Sequence, residues 1–282
     1  MKEGYHIRVM NLEEVEDIAI EWAAREGWNP GLNDAECFYA ADPDSFLVGE
    51  LDGKVIACIS AVNYENVFGF IGFYIVHPDY RGGGYGYELA KVALERLVGV
   101  NIGVDGVIDQ VENYKRYGFS LAYRNVRYEG VSKAFAPHPN VHAITVSDIP
   151  TILAFDQKFF PAKREAFLVK WIQQKGGCAL VYKEDGEILG YGVVRPCYSG
   201  YKIGPLFAES AEIAHELLHG LSGSLPADST FYLDIPEPNA EANKHVERQQ
   251  MKKVFETARM YNKSVPELPL NKIFGITSFE LG

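Results

Sequence analysis

The chain has little cysteine, no long apolar run and a shortage of positive charge, and each absence excludes a class of protein. Four cysteines in 282 residues, Cys37, Cys58, Cys178 and Cys197, stand without metal-ligand spacing. They support neither a disulfide framework nor a zinc site, and two of them fall inside segments read as strands, where a free thiol acts as a small hydrophobe. No stretch reaches 18 apolar residues, and Met1 to His6 has no apolar core behind it. Neither a membrane span nor a secretion signal is expected, which implies a cytoplasmic protein. Lysine and arginine number 27 against 38 aspartates and glutamates, a net charge of −11. Binding to nucleic acid requires a basic face, so that partner class is disfavoured, while a negative field suits an amine-bearing substrate.

What is abundant is glycine, concentrated at one place. Phe68 to Val76 is a near-continuous apolar stretch that reads as a buried strand, and Tyr85 to Val98 is amphipathic and reads as a helix. Between them lies His77-Pro78-Asp79-Tyr80-Arg81-Gly82-Gly83-Gly84, with Gly86 just beyond. Small residues at a strand-to-helix turn let backbone N–H groups converge, and the helix start adds unpaired donors and the positive end of its dipole; together they suit a phosphate or pyrophosphate. Arg81 adds a cation. A Walker loop would need Gly-Lys-Ser/Thr, where Gly86-Tyr87-Glu88 stands, and a dinucleotide fingerprint would need a third glycine that Leu89 does not supply.

Arg-x-x-Gly-x-Gly does fit, as Arg81 to Gly86. In its strand-loop-helix setting it resembles the coenzyme A pyrophosphate loop of the GNAT superfamily of N-acetyltransferases. A second segment, Asn113-Tyr114-Lys115-Arg116-Tyr117-Gly118-Phe119, resembles that family's Tyr-x-x-x-Gly-Phe segment. The resemblance implies that Arg81, Gly82, Gly83, Gly84, Tyr85 and Gly86 bind the coenzyme, that its pantetheine arm pairs with Tyr74, Ile75 and Val76, and that Tyr114 faces the sulfur and protonates the leaving thiolate. A phenol suits that task because it stays protonated at neutral pH. Many family members carry an asparagine seven residues before this tyrosine; here the position is Val107. The acceptor must attack as a neutral amine, yet an alkylammonium has a pKa of about 10.4, so a base is required. The apolar strand holds no carboxylate. Glu65 is the nearest acid before it, with Asp105 or a water chain as substitutes, and His77 reads as a loop residue.

Domain organisation follows from an internal echo. Phe46 to Ala57 reads as two strands round Asp52-Gly53, and Ala179 to Gly190 repeats the layout round Asp185-Gly186, 133 positions later. Each is preceded by a short strand and a helix. Two prolines in Ser132 to Asn140 disfavour regular structure there. The expectation is a coenzyme-binding domain over 1–131, a linker at about 132–139, and a second domain over 140–282. The fold class is α/β, as two GNAT-like domains in tandem, each a mixed, mostly antiparallel sheet flanked by helices.

The second half has no glycine loop. After Tyr201 to Ala208 come Glu209-Ser210-Ala211-Glu212 and a helix bearing Ile213, Leu217, Leu218 and Leu221, and acids at a helix start repel pyrophosphate. This half either closes over the acceptor side through Asp234, Glu237 and Arg259 or acts as a scaffold, with Glu256 and Arg259 paired at helical i,i+3 spacing. The sequence thus points to an enzyme that moves an acetyl group from acetyl-CoA, without a metal, to a small-molecule or peptide primary amine by direct attack in a ternary complex. The rival is a non-catalytic acyl-CoA sensor. A homodimer and a longer acyl donor are left open.

Overall fold

The computed structural model describes residues 2–135 and 138–282; the expected linker lies partly outside them. Along the chain, β1 (Tyr5–Val9) leads into α1 (Leu12–Glu14), which continues through a π-helical segment, Val15–Ile20, into α2 (Glu21–Arg25). Asn11 and Glu14 close a capping box at that start. Next come α3 (Asp34–Ala41), β2 (Phe46–Leu51), β3 (Lys54–Tyr64), β4 (Phe68–Val76), α4 (Tyr85–Arg96), β5 (Asn101–Val107), α5 (Val111–Arg116) and β6 (Ser120–Val131). The second half runs β7 (Val141–Ala143), α6 (Ile149–Asp156), α7 (Glu165–Ile172), β8 (Cys178–Glu184), β9 (Glu187–Pro196), β10 (Tyr201–Ala208), α8 (Ala211–Gly223), β11 (Thr230–Pro236), α9 (Ala240–Arg248), β12 (Lys252–Tyr261) and β13 (Ile273–Gly275).

Both expected hairpins form. Asp52 and Gly53 (φ 50° and 81°), and Asp185 and Gly186 (φ 50° and 83°), occupy the left-handed region that a two-residue hairpin loop requires. Beyond them the halves stay parallel in plan, because β4 runs parallel to β5 and β10 parallel to β11. What joins them is an exchange of strands. The sheet order is β1-β2-β3-β4-β5-β12-β6-β11-β10-β9-β8-β7, with β13 on β10. The sixth strand of each half therefore lies beside the fifth strand of the other, and the two sixth strands pair with each other.

Three buried ion pairs tie the halves together. Arg259 clamps Asp105 with two nitrogens (Nε–Oδ1 2.9 Å), Arg127 clamps Asp234 (2.7 and 2.8 Å), and Arg195 clamps Asp34 (2.8 and 3.2 Å). One apolar cluster also crosses the boundary, joining Phe38, Phe70 and Phe73 to Phe167, Trp171 and Phe279.

The pairing of Glu256 with Arg259 is corrected. Both lie on an unbulged stretch of β12, where residues three apart face opposite sides of the sheet, so Arg259 turns to Asp105; Glu256 instead meets Arg124 and Lys253, the latter brought to its side by the bulge between Lys253 and Phe255.

Helices α8 and α9 meet through histidines. The His215 ring centroid lies 3.8 Å from that of His219 and 5.0 Å from that of His245. Burial, with His215 and His219 next, holds His245 down at about 4. A free histidine titrates near 6.5. Between these values the unfolded chain binds more protons than the fold, so the contribution is fully present above about 6.5 and is lost as pH falls towards 4. Melting temperature is expected to drop over that window and to drop less in His245→Gln; equal slopes in calorimetric melts would reject this source of acid sensitivity.

Candidate active site

The ladder between β4 and β5 runs only from Phe68↔Asn101 to Ile71↔Val104. From there the strands part, β5 staying paired with β12 along its other edge, and a cavity of about 380 Å³ opens in the gap. Ligand pockets commonly measure about 300–1,000 Å³.

At the mouth of the gap β4 bulges. Ser60 opposes Gly72 and Cys58 opposes Ile75, so Phe73 and Tyr74 face Ile59 alone. Phe73 takes φ 49°, a region that costs a side-chain-bearing residue about 1–3 kcal/mol. Such a bulge turns backbone groups away from the neighbouring strand. Tyr74, Ile75 and Val76, the residues expected to hold the pantetheine arm, line the cavity beyond it.

The glycine loop lies next to the end of β4. Gly82 and Gly84 have φ 76° and 79°, and Gly84 is the residue before α4. The first bond of that helix runs from Glu88 N–H to the Gly84 carbonyl, so the N–H groups of Tyr85, Gly86 and Tyr87 have no intrahelical acceptor. Gly86 is small for packing: a Cβ there would stand 2.7 Å from Val76 Cγ2 and 2.8 Å from Tyr74 Oη. Arg81 lines the cavity, donates to the Val76 carbonyl at 2.9 Å and pairs with Glu26. Lys2, which the sequence did not flag, donates to the Gly83 carbonyl and adds a second cation to the loop.

Tyr114 reaches the cavity from α5 and packs on β5, where Gly106 makes room for its ring; a Cβ at Gly106 would stand 2.3 Å from Tyr114 Cε2. Burial, then Tyr117 and Asp105, push its phenol up to about 12. Val107 lines the cavity as an apolar residue, and two carboxamides, Gln110 and Asn113, join it there, bonded to each other at 2.6 Å.

The acids fall differently from expectation. Glu65 is exposed in the β3–β4 turn with φ 52°, at the end of β4 that still pairs with β5. From Phe68 to the bulge at Phe73 is roughly 17 Å of strand, and Glu65 is not brought to the cavity. Asp105 does line it, but both oxygens are engaged by Arg259, with Asn125 and Thr257 adding donors to Oδ1. Asp234 is likewise consumed by Arg127. His77 lies outside the cavity lining, its ring edge-on to Trp22 and Tyr80.

The second half does supply a wall, through other residues than those expected: Phe255 and Thr257 from β12, and Phe279 and Glu280 from the segment after β13. That segment threads against the first half. The Glu280 carbonyl lies where a side chain on Gly72 would be, 2.1 Å from its ideal Cβ, and Tyr64 Oη donates to the Leu281 carbonyl at 3.0 Å. Gly72→Ala should displace the segment and cost about 1–3 kcal/mol, as overpacked positions do; an unchanged urea midpoint would show that the segment yields freely.

No helix among the described residues is long and apolar enough to cross a membrane, and no group of three His, Cys, Asp or Glu among them is placed to hold a metal ion. All four cysteines are free thiols.

Comparison with known proteins agrees with this geometry. Residues 12–119 match the model of the acetyltransferase (GNAT) family, and residues 152–275 match that of an acetyltransferase (GNAT) domain. The holothin acyltransferase of Pseudoalteromonas sp. (strain SANK 73390) is 32% identical over 94% of this chain and 90% of its own length. A putative acetyltransferase of Pyrococcus horikoshii superposes over 100% of this chain and 97% of its own with a TM-score of 0.84 at 24% identity. A tandem GNAT protein from the clavulanic acid biosynthesis pathway covers 93% of this chain and 99% of its own at a TM-score of 0.64 and 12% identity. With a splayed strand pair, a bulge and a glycine loop in the first half and a second match in the other, the chain belongs to the GNAT acetyltransferase family, in tandem form.

Proposed function

We propose that the chain transfers an acetyl group from acetyl-CoA to a primary amine by direct attack in a ternary complex. The observation that carries this reading is the single cavity surface on which β4 beyond its bulge, Tyr114, and the aromatic wall of the second half meet. A sensor needs the coenzyme site alone; the wall from Phe255 and Phe279 gives an acceptor a place beside it.

The residues present fit the coenzyme. The Gly82–Gly86 loop and the start of α4 offer N–H groups to the pyrophosphate, with Arg81 and Lys2 as cations. Tyr74 to Val76 offer main-chain pairing to the pantetheine arm, and Gln110 and Asn113 stand in for the asparagine that Val107 replaces. A backbone N–H at the bulge polarises the acyl carbonyl, which is the kind of fixed donor that stabilises developing oxyanion charge. Tyr114 holds its proton at neutral pH and gives it to the sulfur as the thiolate leaves.

Tyr114→Phe should lower kcat by about 10²–10⁴, the usual contribution of a positioned acid, with acetyl-CoA affinity little changed. An unaltered rate would remove the proton-donor role. The reading as a whole is tested by calorimetric titration with acetyl-CoA followed by thiol release against a panel of amines that includes holothin, the acceptor named for the bacterial relative. Binding with amine-dependent thiol release supports the transferase, whereas binding without release under every amine supports the sensor.

A further inference from the structure

Glu280 is the one acid of the cavity lining that is both buried and unengaged. Its residue is 3% exposed, and no described group donates to either carboxylate oxygen. Of the other acids in the lining, Asp105 is clamped by Arg259 and Glu26 is paired with Arg81. An unsatisfied buried carboxylate is costly, and a fold retains one where a ligand completes it.

The position of Glu280 is set by backbone. Its carbonyl is seated over Gly72, the residue immediately before the bulge at Phe73. Trp28 and Phe279 line the same cavity, surfaces that suit a cationic or apolar amine. The charges around it balance, three buried cations against three carboxylates with Glu280 counted, but the hydrogen bonding does not. Arg127 and Asp234 form one closed pair and Arg195 and Asp34 another, while among the described residues the buried Lys202 Nζ donates only to the Trp28 carbonyl, at 3.2 Å. Arg127, Arg195 and Lys202 all stand within electrostatic reach of Glu280. None of the three occupies the carboxylate oxygens, which leaves both for a substrate.

We infer that Glu280 binds the acceptor as an ammonium ion and is the base that removes its proton, so that the acceptor class is a small primary alkylamine that enters charged. This rests on the transferase reading above. The ammonium gives one proton to Glu280; the neutral nitrogen lone pair forms the C–N bond as the carbonyl π pair moves to oxygen. That pair returns as the C–S bond breaks, Tyr114 gives its proton to sulfur, and the nitrogen returns a proton to the phenolate. Glu280 releases its own proton to solvent with the product.

The experiment compares wild type, Glu280→Gln and Glu280→Asp, measuring acetyl-CoA affinity by calorimetry and kcat/KM for the amine by thiol release from pH 6 to 10. In Glu280→Gln the amine must arrive already neutral. Its kcat/KM is therefore expected to fall at least tenfold at pH 7 and to climb tenfold per pH unit towards the amine pKa of about 10.4, with acetyl-CoA affinity unchanged. Glu280→Asp keeps a base and should keep the wild-type pH shape at a reduced rate. A fall of less than tenfold in Glu280→Gln, or the same pH shape in both variants, overturns the inference. If Glu280→Gln does not bind acetyl-CoA, Glu280→Asp and wild type decide: a wild-type kcat/KM that itself climbs tenfold per unit to the amine pKa overturns it. Thiol release absent from wild type under every amine is a failure of the transferase reading itself, recognisable because no variant is needed to see it.

Discussion

Gly84→Glu is expected to leave a folded protein that no longer binds acetyl-CoA. Gly84 sits at φ 79° immediately before α4, and a Cβ there meets only the Lys2 side chain, at 3.4 Å and beyond. Space is therefore available, and the folding penalty is the left-handed backbone, about 1–2 kcal/mol. Binding is affected far more. The new carboxylate stands at the helix start whose free N–H groups and dipole are proposed to meet the pyrophosphate, so one substitution blocks approach and reverses the sign of the local field. Calorimetry should detect no heat of binding while circular dichroism matches the parent. Retained affinity would show that the coenzyme does not lie on this loop, and the proposed reaction would lose its foundation.

Asp105→Ala should be the most destabilising single change near the cavity. It removes the partner of Arg259, whose side chain is 7% exposed and whose pKa is raised well above the ordinary value against the opposing pull of burial, by Asp105 first among its charged neighbours. Breaking a buried pair by deleting one partner typically costs about 3–5 kcal/mol because a charge is left unpaired. The consequence extends beyond one half. Asp105 is on β5 and Arg259 on β12, the contact at which the second half inserts its strand into the first. Urea unfolding of the variant should show a midpoint shift of that size in one transition that reports on both halves. A loss under about 1 kcal/mol would place the cohesion of the exchange in the apolar cluster instead.

Much of the fold was legible because it is written locally. The two Asp-Gly turns carry their own backbone chemistry, and the glycine loop sits between an apolar run and an amphipathic one, so strand, loop and helix followed from adjacent residues. Tyr114 and Tyr74 to Val76 were singled out by the resemblance to the GNAT family, and both line the cavity. The strand exchange was hidden, since β6 and β12 have the same composition whichever neighbour they choose, and pairing partners more than a hundred residues apart leave no periodic signal. The same reason hid Glu280. Nothing in Ser278-Phe279-Glu280-Leu281 marks an active-site acid; only the seat of its carbonyl on Gly72, which lacks a side chain, brings it to the bulge. Proximity in sequence favoured Glu65 instead, and a hairpin turn placed that residue at the opposite end of β4. Arg259 was read against Glu256 because the spacing fits a helix, and in a strand the same spacing separates the two.

The most direct test is a crystal structure of the protein with acetyl-CoA bound. The pyrophosphate should contact the Gly82–Gly86 backbone, the pantetheine arm should pair with Tyr74 to Val76, and the sulfur should lie within about 3.5 Å of the Tyr114 hydroxyl, the reach proton transfer requires. A coenzyme bound elsewhere, with the gap between β4 and β5 unfilled, would contradict the assignment of this cavity as the site of acyl transfer.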